Sequence, residues 1–366
     1  ANNSAIGYAS LQLNTIGSNN TAVGYDALGA NTTADDNTAV GQNTLNSNTT
    51  GTKNTAVGKD ALTANTTGAY NTALGYDALG ANTTAILGTA LGWGALAANT
   101  TGAQNTAVGG NCLQTNTTGG YNVAVGRQSL QANTTASYNT AIGWQAMLSN
   151  TTGTGNVAVG YKALNIQTTA DANTAIGYQC MEDNTTGASN SAVGRRTLES
   201  NTTGNNNNCL GSGAMESNTT GSCNIAIGNA ALDTQTAAND NVAVGHYALT
   251  GNTTGVQNVG VGNSALGGNT TASNNTAVGF LALFVNSTGT NNTALGRHAL
   301  KTSTTSSENT ALGSSALELM TTGSANTAVG HRALEASTTA SQNVAVGQRA
   351  LYQQRQSKVG GLLSDS

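Results

Sequence analysis

The sequence predicts an all-β chain: a parallel β-solenoid, or β-roll, of 21 coils with a 17-residue repeat. Three observations carry this. A glycine, in most copies preceded by Ala-Val, Ala-Ile or Ala-Leu, recurs at Gly7, Gly24, Gly41, Gly58 and onward to Gly347, always 17 residues apart and without an insertion or deletion. A short fixed period of this kind marks stacked coils rather than separate globular bodies. Thr, Asn and Gly fill the unit at a density that disfavours helix. The repeat is also too short for a helical pair, so two short β segments with turns between them are expected in each coil. The repeat domain runs from residue 3 to 351, and a tail, 352–366, lacks the pattern.

Counting each unit from its Asn, with the recurring glycine at position 5, assigns the columns. Position 4 is Val, Ile or Leu in all 21 copies, as in Ile6, Val23, Leu74 and Ile142. Position 9 is Leu in 18 copies and Met in three, Met147, Met181 and Met215. These two columns are expected to form the dry core. Position 2 is mostly Thr but becomes Val at Val123, Val157, Val242, Val259 and Val344 and Ile at Ile225, so it points the same way as position 4. That alternation is a strand's.

The opposite strand face carries Asn at position 1 in 20 of 21 copies, Ala at position 3 in 19, and Gly at position 5 in all. A solvent-facing column would drift among polar residues of any size. This stripe therefore packs closely against the other wall of its coil or against a second chain, and stacked Asn side chains suit an amide ladder. Positions 12–15 read Asn-Thr-Thr-Gly or near variants such as those at Gln167 and Ser337, residues that bond their own backbone in turns and accept positive φ. They form the corner. Positions 6, 7, 10, 11, 16 and 17 vary and are expected at the surface.

Each coil brings only one Val/Ile/Leu and one Leu/Met as large apolar material, so a single chain looks thin. The small-residue stripe offers a way for copies to approach around a common axis, which predicts a homo-oligomer, with a trimer favoured. The Asn-Thr-Ala-Val-Gly strand, with its Asn-Ser-Ala-Ile/Val-Gly form at Asn3–Gly7 and Asn190–Gly194, resembles the Ser-Val-Ala-Ile-Gly strand of YadA-like heads in trimeric autotransporter adhesins. The full unit is also similar to repeats of phage and bacterial tail-fibre-type proteins, and the resemblance covers residues 3 to about 351. It implies a left-handed, trimeric β-roll that is extracellular, cell-surface or virion-borne and acts as shaft and adhesive surface. The adhesin unit is usually shorter than this one, and neither a membrane anchor nor a coiled-coil stalk is in the sequence.

Composition narrows the function classes. Charged residues make up 8% of the chain against about 25% in ordinary globular proteins, and proline is absent. The net charge of -4 gives no reason to expect nucleic acid or electrostatic membrane binding. No apolar run is long enough for membrane insertion. The sequence opens inside its first repeat with no signal-peptide pattern, which suggests either that processing removed one or, the favoured reading, a piece of a longer protein. Cys112 and Cys180 lie 68 residues apart, four repeats, or roughly 19 Å at a stacking distance of ~4.8 Å, too far for a disulfide. With Cys209 they read as small buried hydrophobes, and Cys223 as exposed.

No enzyme is expected. Three histidines, His246, His298 and His331, stand on separate coils. No catalytic grouping, cofactor site or metal-ligand cluster can be assembled from the repeat, and its regularity leaves no insertion from which to build a pocket. Asn-Thr-Thr matches the N-glycosylation acceptor, but a corner asparagine bonding within its own turn is the better reading.

The variable column at position 6 is the candidate binding feature. It holds Tyr8, Tyr25, Tyr76, Trp93, Trp144, Tyr161, Tyr178 and Phe280. Of these, Tyr25, Tyr76, Trp93, Trp144, Tyr161 and Tyr178 are the candidate surface-binding aromatics, suited to a host-surface glycan or protein. The bland reading is that they shield a groove between chains. Lys59, Arg127, Arg195 and Arg297 at position 6, and Lys162, Arg196, Arg332 and Arg349 at position 7, are expected to solvate the surface and discourage sideways sheet association. The chain is thus read as a structural fibre of about 100 Å at ~4.8 Å per coil. It spaces and attaches, and its open strand edges suit end-to-end joining into filaments. An ice-binding solenoid, built on its threonine columns, is the alternative.

Overall fold

The computed structural model describes residues 2–352, so the tail from residue 353 lies outside the described residues. Twenty-one three-residue strands recur every 17 residues, all parallel, and no helix occurs among the described residues. The chain divides into two compact units, with the boundary between Ser189 and Asn190. In the first, β1 (Ser4–Ile6), β2 (Thr21–Val23) and their successors run to β11 (Thr174–Ile176), each paired with its neighbour within the unit. The register is one whole repeat, as in Thr38↔Thr55 and Ala39↔Ala56. The second unit repeats this from β12 (Ser191–Val193), β13 (Asn208–Leu210) and β14 (Ile225–Ile227) to β21 (Val344–Val346).

The coil has one β segment, not the two expected. Positions 6–11 run through turns in which positions 7 and 9 are left-handed, with Asp26 at φ 53° and Leu28 at φ 52°. Alternating handedness turns successive amides toward opposite neighbours. Asp26 N–H donates to Tyr8 O (2.9 Å), whereas Leu28 N–H donates to Thr44 O (3.0 Å) and Ala30 N–H to Asn46 O (2.9 Å). The stacking hydrogen bonds therefore persist on this side without extended backbone. A left-handed leucine costs ~1–2 kcal/mol. Burying its side chain contributes ~1.5–3 kcal/mol, and Leu28, Leu45 and Leu62 are fully buried. Burial outweighs strain by a narrow margin at each coil.

The leucine column is the core, as expected, but the strand faces the other way round. Ala22, Ala39 and Ala56 are 0% exposed, as are Asn20, Asn37 and Asn54 at position 1 beside them, and beyond the first coil every strand alanine is buried. The position-4 aliphatics are half-buried or exposed in every described coil, with Leu74 at 50% and Ile142 at 39%. Two corrections follow. Position 4 does not join the dry core, and the Asn/Ala/Gly stripe is not a surface on which chains meet. The reason is volume: the coil interior already holds Leu at position 9, Ala at position 8 and two asparagines. Opposite them only Ala or Gly fits.

Those two asparagine columns satisfy the buried backbone. Asn37 N–H donates to Asn20 Oδ1 (2.9 Å), and Asn37 Nδ2 donates across its own coil to Gly51 O (2.9 Å). At position 12, Asn65 Nδ2 donates to Asn48 Oδ1 (2.8 Å) and to Gly68 O (2.9 Å), so one amide ties two coils and closes a corner. Leaving such groups unpaired in a dry interior costs ~1–3 kcal/mol each. Glycine at position 5 is required for approach as well as for angle: Gly109 has φ 134°, and a Cβ there would stand 2.7 Å from the carbonyl carbon of Gly126.

Candidate interaction surfaces

Two kinds of surface emerge, one present on both units and one whose candidate residues are confined to the first unit. The first is the outward strand face, made of positions 2 and 4. Because side chains alternate along a strand, burying Ala at position 3 turns Thr or Val at position 2 and Val, Ile or Leu at position 4 outward together. In the first unit this places Thr21, Thr38, Thr55, Thr72, Thr89 and Thr106 beside Val23, Val40, Val57, Leu74, Leu91 and Val108, with no charge in either column. In the second unit the same face carries a shallow depression of about 230 Å³ lined by Ser191, Val193, Asn208, Cys209, Leu210 and Ile227. The sequence reading missed this face because an aliphatic column looks like core. Its departure from one size, among Val, Ile and Leu, was the available signal.

The second is the aromatic columns. The six candidate aromatics are all exposed, Trp93 most of all at 58%. Three pairs of position-6 neighbours stack. Trp144 and Tyr161 lie 5.0 Å apart at 17°, Tyr161 and Tyr178 5.0 Å apart at 8°, and Tyr8 and Tyr25 5.3 Å apart at 14°. Stacking along the column occupies both faces of Tyr161 and leaves ring edges outward, a poor platform for a sugar face. Trp93 differs: Gly110 fills its position in the following coil, so no side chain stands beside the indole on that side. Lys59 Nζ lies 6.0 Å from the Tyr76 ring. A further column, at position 17, was not singled out from the sequence. It contains Tyr70, Tyr121 and Tyr138, with Tyr121 and Tyr138 stacked at 5.1 Å.

The basic residues at position 7 do more than solvate. A cation there meets an acid at position 10 of its own coil or the next. Lys162 Nζ lies 2.9 Å from Glu182 Oε1, and Arg196 lies 2.6 Å from Glu199 and 2.8 Å from Glu216. Arg332 lies 3.4 Å from Glu335, and His298 Nδ1 lies 3.3 Å from Glu318. Glu182 accordingly holds the Lys162 ammonium above its usual range. Burial, then Arg297, pulls His298 down. Burial, then the Asp60 charge, raises Asp77, and burial followed by Glu216 raises Asp233.

Cys112, Cys180 and Cys209 are buried and Cys223 is exposed, and burial pushes the Cys112 and Cys180 thiols up to about 12. Among the described residues no group of three or more His, Cys, Asp or Glu is placed to hold a metal ion. No helix among them is long and apolar enough to cross a membrane. The corner asparagines that match the glycosylation pattern, such as Asn31, Asn48 and Asn65, are fully buried and unavailable in the folded chain. Comparison with protein-family models gives no match, and comparison with curated proteins gives none either.

Proposed function

We propose that this chain is a non-enzymatic structural shaft and attachment module, extracellular, cell-surface or virion-borne, whose copies associate through the outward strand face. The observation that carries the reading is the column of Val, Ile and Leu left uncovered on strand after strand. Apolar columns of this extent mark interaction sites in soluble proteins. Three strand residues span ~10 Å and rows repeat at ~4.8 Å, so the eleven strands of the first unit offer on the order of 500 Å². The ten strands of the second offer about as much again. A copy engaging the face of one unit would bury ~1,000 Å² in total, the lower bound for a specific interface. A second copy has the same row spacing, so its side chains meet this face in step along the whole column. A trimer is the favoured state, and end-to-end joining into filaments is a further mode. Attachment to a host-surface glycan or protein falls to Trp93 and Tyr76 rather than to the stacked rings.

Sedimentation equilibrium tests this. The wild-type chain is expected to run as an oligomer, and Val57→Glu with Val108→Glu to shift it toward monomer while the β spectrum persists. A folded wild-type monomer at micromolar concentration would remove the self-association. One observation favours a second reading: six outward threonines in a row, from Thr21 to Thr106, form a hydroxyl column at strand spacing, suited to an ordered water lattice. Thermal hysteresis of the wild-type protein, lost in Thr55→Lys, would establish that reading.

A further inference from the structure

Six of the ten tyrosines sit as stacked pairs at the same repeat position on neighbouring coils, and all three pairs lie in the first unit. Their ring centroids are 5.0–5.3 Å apart and their planes within 14° of parallel. Every one of the six rings is open to solvent, from 39% exposed at Tyr161 to 74% at Tyr8. The backbones beneath are locked one coil apart, so each phenol has one phenolic neighbour held beside it without a search. We propose that Tyr8–Tyr25, Tyr121–Tyr138 and Tyr161–Tyr178 are sites of oxidative coupling to dityrosine, a covalent staple between adjacent coils.

The reaction needs a one-electron oxidant of the peroxidase class supplied with hydrogen peroxide. Each phenol loses one electron and one proton to give a phenoxyl radical. The two radicals join through a carbon–carbon bond between the ring carbons ortho to the oxygens, and each ring then returns the proton of that carbon from the ring to its oxygen, restoring two phenols. The net change is the loss of two hydrogen atoms from the pair, and one hydrogen peroxide is reduced to two waters. Fixed proximity is what makes the coupling efficient, because the second radical need not diffuse. The aryl carbons meet by tilting exposed rings, which leaves the buried Ala and Leu columns untouched.

Three of the four remaining tyrosines supply the internal control. Tyr70 stands between Lys53 and Leu87 in its column, Tyr76 between Lys59 and Trp93, and Tyr247 between Ala230 and Ser264. None of these has a tyrosine at its own position on the next coil. The inference does not depend on the shaft-and-attachment reading, since it concerns neighbouring coils of one chain.

The test treats dilute protein, an equal mixture of nitrogen-15-labelled and unlabelled chains, with a haem peroxidase and hydrogen peroxide. Dityrosine fluorescence is followed, and the linked residues are then located by proteolysis and tandem mass spectrometry, the Tyr8–Tyr25 link as a loss of two hydrogens within one tryptic peptide. The expected result is linkage of Tyr8 to Tyr25, Tyr121 to Tyr138 and Tyr161 to Tyr178, each within a single isotope class. The triple variant Tyr25→Phe/Tyr138→Phe/Tyr178→Phe keeps the stacked rings but leaves no pair, and its dityrosine yield should fall at least about tenfold. Equal yield in that variant, links dominated by Tyr70, Tyr76 or Tyr247, or mixed-isotope links would overturn the proposal.

Discussion

Between Asn14 and Asn150 the corner amides form a run of eight successive bonds, each side chain donating to the one before. The same column is interrupted once in the first unit, at Gln167, and in the second at Gln235 and again at Ser303, Met320 and Ser337. The backbone stacking does not change: Thr270, Ser287 and Thr304 still bond coil to coil through the interruption. The comparison separates what the coil requires from what it adds. Backbone bonds, Leu or Met at position 9 and small residues at positions 3, 5 and 8 are common to both units, whereas the corner ladder is dispensable locally.

Each interruption leaves a mark. Asn150, Asn218 and Asn286 precede Gln167, Gln235 and Ser303, and each keeps a buried Oδ1 without a hydrogen-bond partner. In the same coils the position-1 asparagine compensates. Asn156, Asn224, Asn292, Asn309 and Asn326 each donate Nδ2 to the preceding Oδ1, at 3.0–3.3 Å. These are the described coils in which position 12 is not Asn.

The largest expected effect tests what the units share. Gly109→Ala in the first and Gly296→Ala in the second meet the same obstacle, at φ 134° and 136° with the next carbonyl carbon 2.7 and 2.6 Å away. Each should lose at least ~1–3 kcal/mol from backbone strain, before the clash is added. Hydrogen exchange of the flanking coils should report similar losses, and a loss in one unit only would break the equivalence.

The next effect tests what differs. Asn82→Met copies the Met320 interruption into the continuous ladder, orphans Asn65 Oδ1, and should cost ~1–3 kcal/mol. Ser303→Asn does the reverse, giving Asn286 Oδ1 a donor, and should stabilise by ~0.5–1.5 kcal/mol. Local exchange protection reads both, and opposite signs are required.

A smaller effect separates the units by pH. All three histidines belong to the second unit. His298 is held below its ordinary 6.5, chiefly by burial and then by Arg297, with Glu318 opposing and Lys301 assisting. The unfolded chain therefore takes up this proton more readily. Stability is full above pH 6.5 and is lost as the pH falls from there toward the folded value. Exchange in coils around residue 298 should quicken on mild acidification, and His298→Gln should flatten the response. Smallest is a labelling contrast. At pH 8 a water-soluble alkylating reagent should modify Cys223 within minutes and spare Cys112, Cys180 and Cys209, which are buried.

Much of this was legible in the sequence. The period, the coil number, the Leu/Met column and the Asn-Thr-Thr corner follow from spacing and turn chemistry; the position-1 asparagines do form a ladder, and the position-12 asparagines bond within their own turn as expected while adding a second ladder that was not. The strand's orientation did not follow. Alternation assigns positions 2 and 4 to one face and 1, 3 and 5 to the other, but it does not say which face is inside, and a choice by hydrophobicity puts Val inward. In a coil this narrow, volume decides instead, and the near-invariance of Ala56 and its equivalents was the sign of confinement. The position-17 tyrosines were hidden by variability, because only pairs on adjacent coils, such as Tyr121 and Tyr138, give the column meaning.

The central claim, that this coil closes around Ala and Asn with its aliphatic column outward, is tested most directly by one pair of substitutions on a single strand. Ala107→Glu and Val108→Glu should be compared by hydrogen exchange across residues 88–138. The account predicts that Glu at 107, forced among Leu96, Leu113 and the buried amides, abolishes protection there, while Glu at 108 leaves it intact. Protection lost with Glu at 108 and kept with Glu at 107 would contradict it.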